Sequence, residues 1–116
     1  SEDMVEVYGD ERAEILFVAF GIVGRAVKEV VDELMGKGIL VMLLRPKILW
    51  PVPENKILQY SKMAKYVFVP EMNMGQYVHV VAKIAGKEKV VPINRYDCEL
   101  FEPEALLEIV LEKAGL

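Results

Sequence analysis

EILFVAFGIVGRAVKEVVDELMG, residues 14–36, is the stretch of sequence that decides the fold. Its first part, residues 14–20, is a nearly continuous apolar run, which is typical of a strand covered on both faces. From Ile22 onward, charged side chains lie opposite apolar residues that recur at helical spacing, at positions 22, 23, 26, 27, 30, 31, 34 and 35. A buried strand that passes through a glycine turn into an amphipathic helix predicts a β-α unit.

The alternation of strand and helix continues on both sides of this stretch. A short alternating strand at 4–8 precedes it. Beyond it, predicted strands at 39–44, 66–69 and 89–93 alternate with predicted helices at about 54–63, at 77–85 and from Pro103 to Gly115. The valines within 77–85 also favour a strand, but the apolar spacing and the closing Gly86 fit a helix better. The proline inside the last strand predicts that this strand lies at an edge of the sheet.

One strand followed by four strand–helix pairs predicts a three-layer α/β/α fold around a mainly parallel, five-stranded sheet. The chain has 116 residues, a length that allows one domain and leaves no room for a second. It begins at Ser1 with an acidic segment, so we interpret residues 1–116 as a single domain cut from a longer subunit.

Composition excludes several classes of protein. The longest uncharged apolar run, residues 15–24, is ten residues long, whereas a membrane-spanning helix needs roughly 20. The twelve basic residues within 15–96 are spread out, which argues against a nucleic-acid footprint and leaves an acidic partner surface as an alternative. The single cysteine, Cys98, excludes an internal disulfide and a cysteine-built metal site, and it indicates a reducing, cytoplasmic location.

Two features of the sequence have both a structural and a functional interpretation. The turn from Gly21 to Gly24 can cradle a phosphate, or it can let a helix pack closely on a strand. Neither the dinucleotide pattern nor the P-loop pattern is present, so we favour packing. The only histidine, His79, has no second histidine with which to share a metal, so a structural or partly exposed role is favoured.

The most distinctive cluster is PEMNMGQ at 70–76, directly after a buried strand. Ligands bind beyond the carboxyl ends of strands in open α/β sheets, which favours a functional role. In the structural interpretation Asn73 is a helix N-cap and Gln76 is its capping-box partner. This interpretation does not require Glu71, which can bond backbone donors near the strand end. Capping is favoured over ligand contact, and both remain open.

The segments LRP at 44–46, LWPVPE at 49–54 and VPEMNMGQ at 69–76 resemble the α subunits of 2-oxoacid:ferredoxin oxidoreductases. The resemblance is to their C-terminal domain, which has the transketolase C-terminal-like fold, and it extends over nearly the whole chain. Two residues depart from the family pattern. Ile22 stands where a small hydroxyl residue is often found, and Cys98 stands where glycine is common.

The family's enzymes oxidatively decarboxylate a 2-oxo acid with coenzyme A and reduce ferredoxin, using thiamine diphosphate, magnesium and iron–sulfur clusters. The resemblance implies that these cofactors belong to the assembly, together with other domains and subunits. This sequence has no Gly-Asp-Gly motif and no cysteine cluster, so we expect no cofactor site in it. It is therefore interpreted as a non-catalytic structural and interface domain in the C-terminal part of the subunit, with 2-oxoglutarate as the favoured substrate. The alternative is a regulatory α/β domain that binds a small anion.

The residues expected at an interface or in a structural motif are Trp50, Pro51, Glu71, Asn73, Gly75 and Gln76. Three prolines stiffen residues 45–53, so little entropy is lost when this segment docks on a partner. Trp50 is either an interface anchor or a side chain that covers the domain's own core. The Trp50–Pro51 bond is also a candidate cis peptide.

Overall fold

The structure, a computed structural model, describes residues 3–72, 76–94 and 101–116. The elements along the chain are β1 (Val5–Gly9), β2 (Ile15–Val18), α1 (Val23–Gly36), β3 (Val41–Pro46), α2 (Glu54–Ser61), β4 (Tyr66–Glu71), α3 (Gln76–Ala85), β5 (Val90–Asn94) and α4 (Pro103–Lys113). Every predicted strand and helix is present, and no boundary differs from the prediction by more than two residues. The helix predicted at 77–85 is confirmed as α3.

The five strands form one sheet in the order β1-β3-β2-β4-β5. Strand β1 runs antiparallel to β3, and all other neighbours are parallel, as in the pairs Ile15 with Val41 and Leu16 with Val67. Pro92 lies in β5 at one edge of this sheet, where the sequence places it. The predicted mainly parallel five-stranded sheet is therefore confirmed.

Alternate residues of each central strand point into two separate cores, because successive side chains of a strand lie on opposite faces. Ile15 and Phe17 pack with α1 and α4, and the Phe17 and Phe68 rings stack with centroids 5.6 Å apart. Leu16 and Val18 pack with α2 and α3 on the other face. The helices thus form two layers around the sheet, which confirms the three-layer architecture.

The strand order creates a crevice beside β2. From β2 the chain goes through α1 to β3, and from β3 it crosses back over β2 to reach β4. The connection after β2 thus leads toward one edge of the sheet, and the connection after β4, through α3 to β5, leads toward the other edge. In open α/β sheets the carboxyl ends of such a strand pair border the usual ligand crevice.

Within the ranges described, no helix combines the length and apolar character needed to cross a membrane.

A small ion-pair network ties the edge strand β1 to the rest of the fold. The Glu6 carboxylate pairs with the Lys28 ammonium of α1 and, at 3.2 Å, with the Arg45 guanidinium of β3. The hydrogen bond from Lys28 is the main reason that the pKa of Glu6 is lowered, and Arg45 lowers it further. Charge on Glu6 therefore stabilises the folded chain.

We expect Glu6→Gln to lower the free energy of unfolding at neutral pH by about 0.2–1 kcal/mol, the range measured for solvent-accessible ion pairs. Because the folded pKa lies below the ordinary value of 4.5, this contribution is present above pH 4.5 and disappears as the pH falls through the folded pKa. Urea unfolding at several pH values measures the difference between the two proteins. The exposed Glu108 supplies the control variant, Glu108→Gln. A wild-type advantage that persists unchanged at pH 2 contradicts the assignment.

Candidate functional site

A cavity of about 80 Å³ lies beyond the carboxyl ends of β2 and β4, at the crevice that the strand order creates. We call it the strand-end cavity. Its walls come from the strand ends, from the loops after β2, β3 and β4, and from the start of α3, and they include Val18, Phe20, Leu49, Trp50, Val69, Glu71, Met72, Gln76 and Tyr77. A space of this size holds a few water molecules or a small ligand group.

The turn from β2 into α1 is built for close packing. Gly21 has a φ of 66°, and its carbonyl oxygen accepts a hydrogen bond from the Arg45 Nε at 3.0 Å. A Cβ on Gly24 would lie 2.5 Å from the Arg45 Cδ, so a larger residue would displace that side chain. The Arg45 guanidinium also pairs with Glu6, so Arg45 of β3 contacts both β1 and the turn and holds them together. These contacts support the packing interpretation of the two glycines.

Trp50 lies at the mouth of the strand-end cavity, in the proline-rich segment after β3. The Trp50–Pro51 peptide bond is cis. The indole packs against the ring of Tyr77, with centroids 5.4 Å apart and planes inclined by 45°. Yet 48% of Trp50 remains exposed, so this side chain is not part of the buried core. Its role at an interface remains a prediction.

Glu71 links the end of β4 to the start of α3. Its Oε2 accepts a hydrogen bond from the backbone N–H of Tyr77 at 3.1 Å. First-turn N–H groups have no carbonyl partner within the helix, so this carboxylate caps α3. This contact agrees with the expectation that Glu71 can bond backbone donors near the strand end. A carboxylate six residues before the N–H lies outside the local spacing of a capping box, so its role as a cap could not be identified from the motif.

The predicted cap at Asn73, and Gly75 beside it, lie outside the described residues. The cap therefore stays a prediction. Gln76 is the first residue of α3, is exposed and borders the strand-end cavity. Of the six residues predicted from sequence, the structure thus brings together Trp50, Glu71 and Gln76 around one cavity.

Tyr77 is the residue of the site that sequence reasoning missed. It is 5% exposed, and its hydroxyl is buried without a hydrogen-bond partner among the described residues. Burial raises the pKa of this phenol strongly, and the nearby charge of Glu71 raises it further, so the hydroxyl remains protonated. The sequence did contain a signal, since Tyr77 occupies a core position of an amphipathic helix. A tyrosine hydroxyl that is buried there normally needs a hydrogen-bond partner.

The chemistry of the cavity wall suits binding or packing more than catalysis. Among the described residues that line it, Glu71 is the only charged one, and none of them is a lysine, an arginine or a histidine. His79 lies exposed on α3. Among the residues that the structure describes, no group of three or more histidine, cysteine or acidic side chains could hold a metal. A thiamine diphosphate with its magnesium, or an iron–sulfur cluster, does not fit this set of donors.

The family model for pyruvate:ferredoxin oxidoreductase core domain II matches residues 13–106. Because this match covers most of the sequence, the chain belongs to that family of oxidoreductase domains. The resemblance carried by LWPVPE and VPEMNMGQ is thereby confirmed.

Curated relatives include subunits of 2-oxoglutarate synthases and of ketoisovalerate oxidoreductases. The chain is 38% identical over 100 residues to the 2-oxoglutarate synthase subunit KorA of Methanocaldococcus jannaschii, covering 85% of this chain and 27% of that protein. It is 35% identical over 115 residues to the ketoisovalerate oxidoreductase subunit VorB of Methanothermobacter marburgensis, covering 99% and 33%. This chain thus spans about a third or less of the length of these relatives.

Solved structures agree with this assignment. The 2-oxoglutarate:ferredoxin oxidoreductase from Magnetococcus marinus matches with a TM-score of 0.76 and 29% identity, over 94% of this chain and 19% of that one. A split-gene transketolase, an inactive β4 tetramer, matches with a TM-score of 0.78 over 100% of this chain and 43% of that one. Its identity is 17%, so this likeness shows the transketolase-like fold alone.

We expect Glu71→Ala to lower the free energy of unfolding by about 1 kcal/mol, because the backbone N–H of Tyr77 loses its acceptor. The melting temperature should fall by roughly 4–8 °C. Glu71→Gln retains an oxygen that can accept the same hydrogen bond and should cost less. Thermal unfolding followed by circular dichroism measures both variants. If the Glu71→Ala chain has the same melting temperature as the wild-type chain, the carboxylate is not an effective cap.

Asn73→Ala, measured in the same way, tests the predicted N-cap of α3. A capping Asn73 predicts a similar loss of about 1 kcal/mol, which Asn73→Ser should largely restore because serine also supplies an acceptor. Near-neutral stability of Asn73→Ala would contradict the cap and favour a ligand or interface role.

Proposed function

We propose that this chain is a non-catalytic structural and interface domain, the C-terminal part of the α subunit of a 2-oxoacid:ferredoxin oxidoreductase. The observation that carries the proposal is an exposed apolar surface over the carboxyl ends of the central strands. We call it the carboxyl-end apolar surface and define it by Phe20, Ile22, Trp50 and Met72.

The four side chains of this surface come from three different loops and form one patch. Phe20, Trp50 and Met72 border the strand-end cavity, and Met72 also shares a neighbouring depression with Ile22. Ile22 is 74% exposed, although it is the first apolar residue of the helical pattern. Contiguous apolar patches of this kind are typical of protein interfaces.

Trp50 is suited to anchor such an interface. About half of its surface is buried and its ring packs against Tyr77, so the ring is held in place before a partner arrives. Prolines on both sides of the segment limit the entropy that docking would cost. Large aromatic side chains with these properties contribute much of the binding energy in protein interfaces.

In this proposal the other domains and subunits hold the cofactors and carry out the chemistry. The assembly would oxidatively decarboxylate a 2-oxo acid with coenzyme A and pass electrons to ferredoxin, using thiamine diphosphate, magnesium and iron–sulfur clusters. We favour 2-oxoglutarate as the substrate, supported by the KorA relatives and by the similarity to the Magnetococcus marinus enzyme. A reducing, cytoplasmic location is part of the proposal and rests on the single cysteine.

Trp50→Ala tests the interface in the full-length subunit mixed with its partner subunits. Loss of the anchor should weaken assembly by about 2 kcal/mol, roughly thirtyfold in dissociation constant. The isolated chain should lose less stability than that, since half of Trp50 is exposed. Analytical ultracentrifugation and thermal unfolding give the two quantities. The matched control is Met63→Ala, an exposed apolar residue between α2 and β4 at the other end of the sheet.

Two outcomes of this experiment contradict the interface proposal. One is wild-type assembly of the Trp50→Ala subunit. The other is unfolding of the isolated Trp50→Ala chain, which would mean that the indole serves the domain's own stability.

Calorimetry of the isolated chain tests the non-catalytic part of the proposal. A ligand that binds the folded state raises the melting temperature by mass action. Because the part of the cavity wall that the structure describes has one carboxylate and no base, thiamine diphosphate with magnesium should leave the transition unchanged. A saturable rise in melting temperature with that cofactor, absent with magnesium alone, would show a cofactor site in this domain and overturn the assignment.

A further inference from the structure

We infer that the edge strand β1 is a second interface, at which two copies of this chain pair antiparallel and join their sheets into one. This inference goes beyond the proposed interface, because β1 lies at one edge of the sheet, whereas the carboxyl-end apolar surface covers the ends of the central strands. It rests on the backbone groups that β1 leaves free, on the side chains beside them and on the register in which two copies fit.

Strand β1 leaves one row of backbone hydrogen-bonding groups unpaired. At one end of its pairing with β3, the Met4 carbonyl accepts from the Lys47 N–H at 2.7 Å, and at the other end the Asp10 N–H donates to the first residue of β3 at 2.9 Å. Because such bonds alternate along an antiparallel pair, the even-numbered residues of β1 bond β3. The N–H and C=O groups of Val5 and Val7 therefore point away from β3, and they bond no other part of the chain that the structure describes.

Strand β1 lacks the features that usually prevent another strand from pairing with an edge. Natural edge strands carry lysine, proline, a bulge or an uncompensated charge for this purpose. Strand β5, at the other edge of this sheet, contains Pro92. The sequence of β1, VEVYG, has neither lysine nor proline, and its register with β3 has no bulge. Its one charged residue, Glu6, is already paired with Lys28 and Arg45. This edge is therefore open to a further strand.

The side chains of β1 leave its free backbone groups accessible. Glu6 lies on the side of the sheet that α1 covers, where it pairs with Lys28. On the same side, the Tyr8 hydroxyl donates to the Asp32 carboxylate of α1 at 2.8 Å, so both side chains are held inward against the helix. On the other side Val7 is 41% exposed, a large apolar residue at an open edge. A paired strand would cover Val7 and bond the groups beside it.

A second copy of β1 is the occupant that fits this edge. Two copies related by a twofold axis pair antiparallel, and only the register centred on Val7 pairs all five residues of both strands. In this register the two Val7 side chains face each other, and Glu6 lies opposite Tyr8 of the second copy, so no like charges face each other within the paired strands. The twofold axis uses the free edge of both copies, so association through β1 ends at a dimer.

Sedimentation equilibrium of the 116-residue chain, from about 1 µM to about 1 mM, measures this association. Five paired residues from each copy form a small interface, so we expect a weak dimer with a dissociation constant of about 100 µM. Trp50→Ala changes the carboxyl-end apolar surface and should leave this constant unchanged, so the two interfaces are tested separately. A chain that stays monomeric up to about 1 mM, or a dimer that Trp50→Ala abolishes, would overturn the inference.

Charged residues at position 7 test the register. Val7→Lys places two ammonium groups opposite each other at the twofold axis, and Val7→Glu places two carboxylates there, so each variant should dimerise about tenfold more weakly. In an equimolar mixture opposite charges face each other, and association should recover about tenfold. Met63→Lys, at an exposed apolar position away from β1, is the matched control and should dimerise as the wild type does. Undiminished dimerisation of Val7→Lys, or no recovery in the mixture, contradicts the pairing of β1 with itself.

Amide hydrogen exchange of the wild-type chain, followed by NMR, keeps the inference testable if the charged variants do not fold. The N–H groups of Val5 and Val7 are bonded only in the dimer, so they should exchange about fourfold more slowly at about 1 mM than at about 20 µM, as a dissociation constant of about 100 µM gives. The N–H groups of Glu6 and Tyr8 bond β3 and should exchange slowly at both concentrations. A dimer without this protection of Val5 and Val7 would place the contact elsewhere and overturn the inference.

Discussion

The central strand β2 must be buried on both faces, and the rest of the fold depends on this constraint. All four of its residues, Ile15–Val18, are buried, and its backbone pairs with β3 on one side and β4 on the other. Because neighbouring side chains point to opposite faces, a shift of one residue would exchange the two cores. The strand therefore requires a helix layer on each face and fixes where the loops after β2 and β4 emerge.

The fold could be predicted from sequence because its signals are local. The apolar run at 14–20 and the helical spacing that follows it lie within one short segment, and each predicts its element without knowledge of the others. The edge position of β5 was also readable, since a proline removes a backbone donor that an inner strand would need. Element boundaries were displaced by a residue or two, as is common for ends that fray.

The candidate site was only partly predictable, because its contacts join residues that are distant in sequence. Trp50 and Glu71 were singled out, but the packing of Trp50 on Tyr77 depends on how the loop after β3 folds over α3. Arg45 was noted only as a basic residue and as part of the LRP segment, whereas in the structure it ties the turn at Gly21 to Glu6 of β1. The capping by Glu71 follows from the end of β4 meeting the start of α3 in space, which no short motif encodes.

The position of Pro92 in β5 has a consequence for how this domain can assemble. An edge strand normally offers a row of outward amide and carbonyl groups on which another chain can add a strand. Pro92 is exposed and has no amide hydrogen, so the row of donors along this edge is interrupted. Continuous extension of the sheet across β5 is thereby blocked. Larger assemblies built from this domain must therefore grow through its loops, its helices or the opposite edge strand β1, and β5 is protected from templating fibrous aggregates.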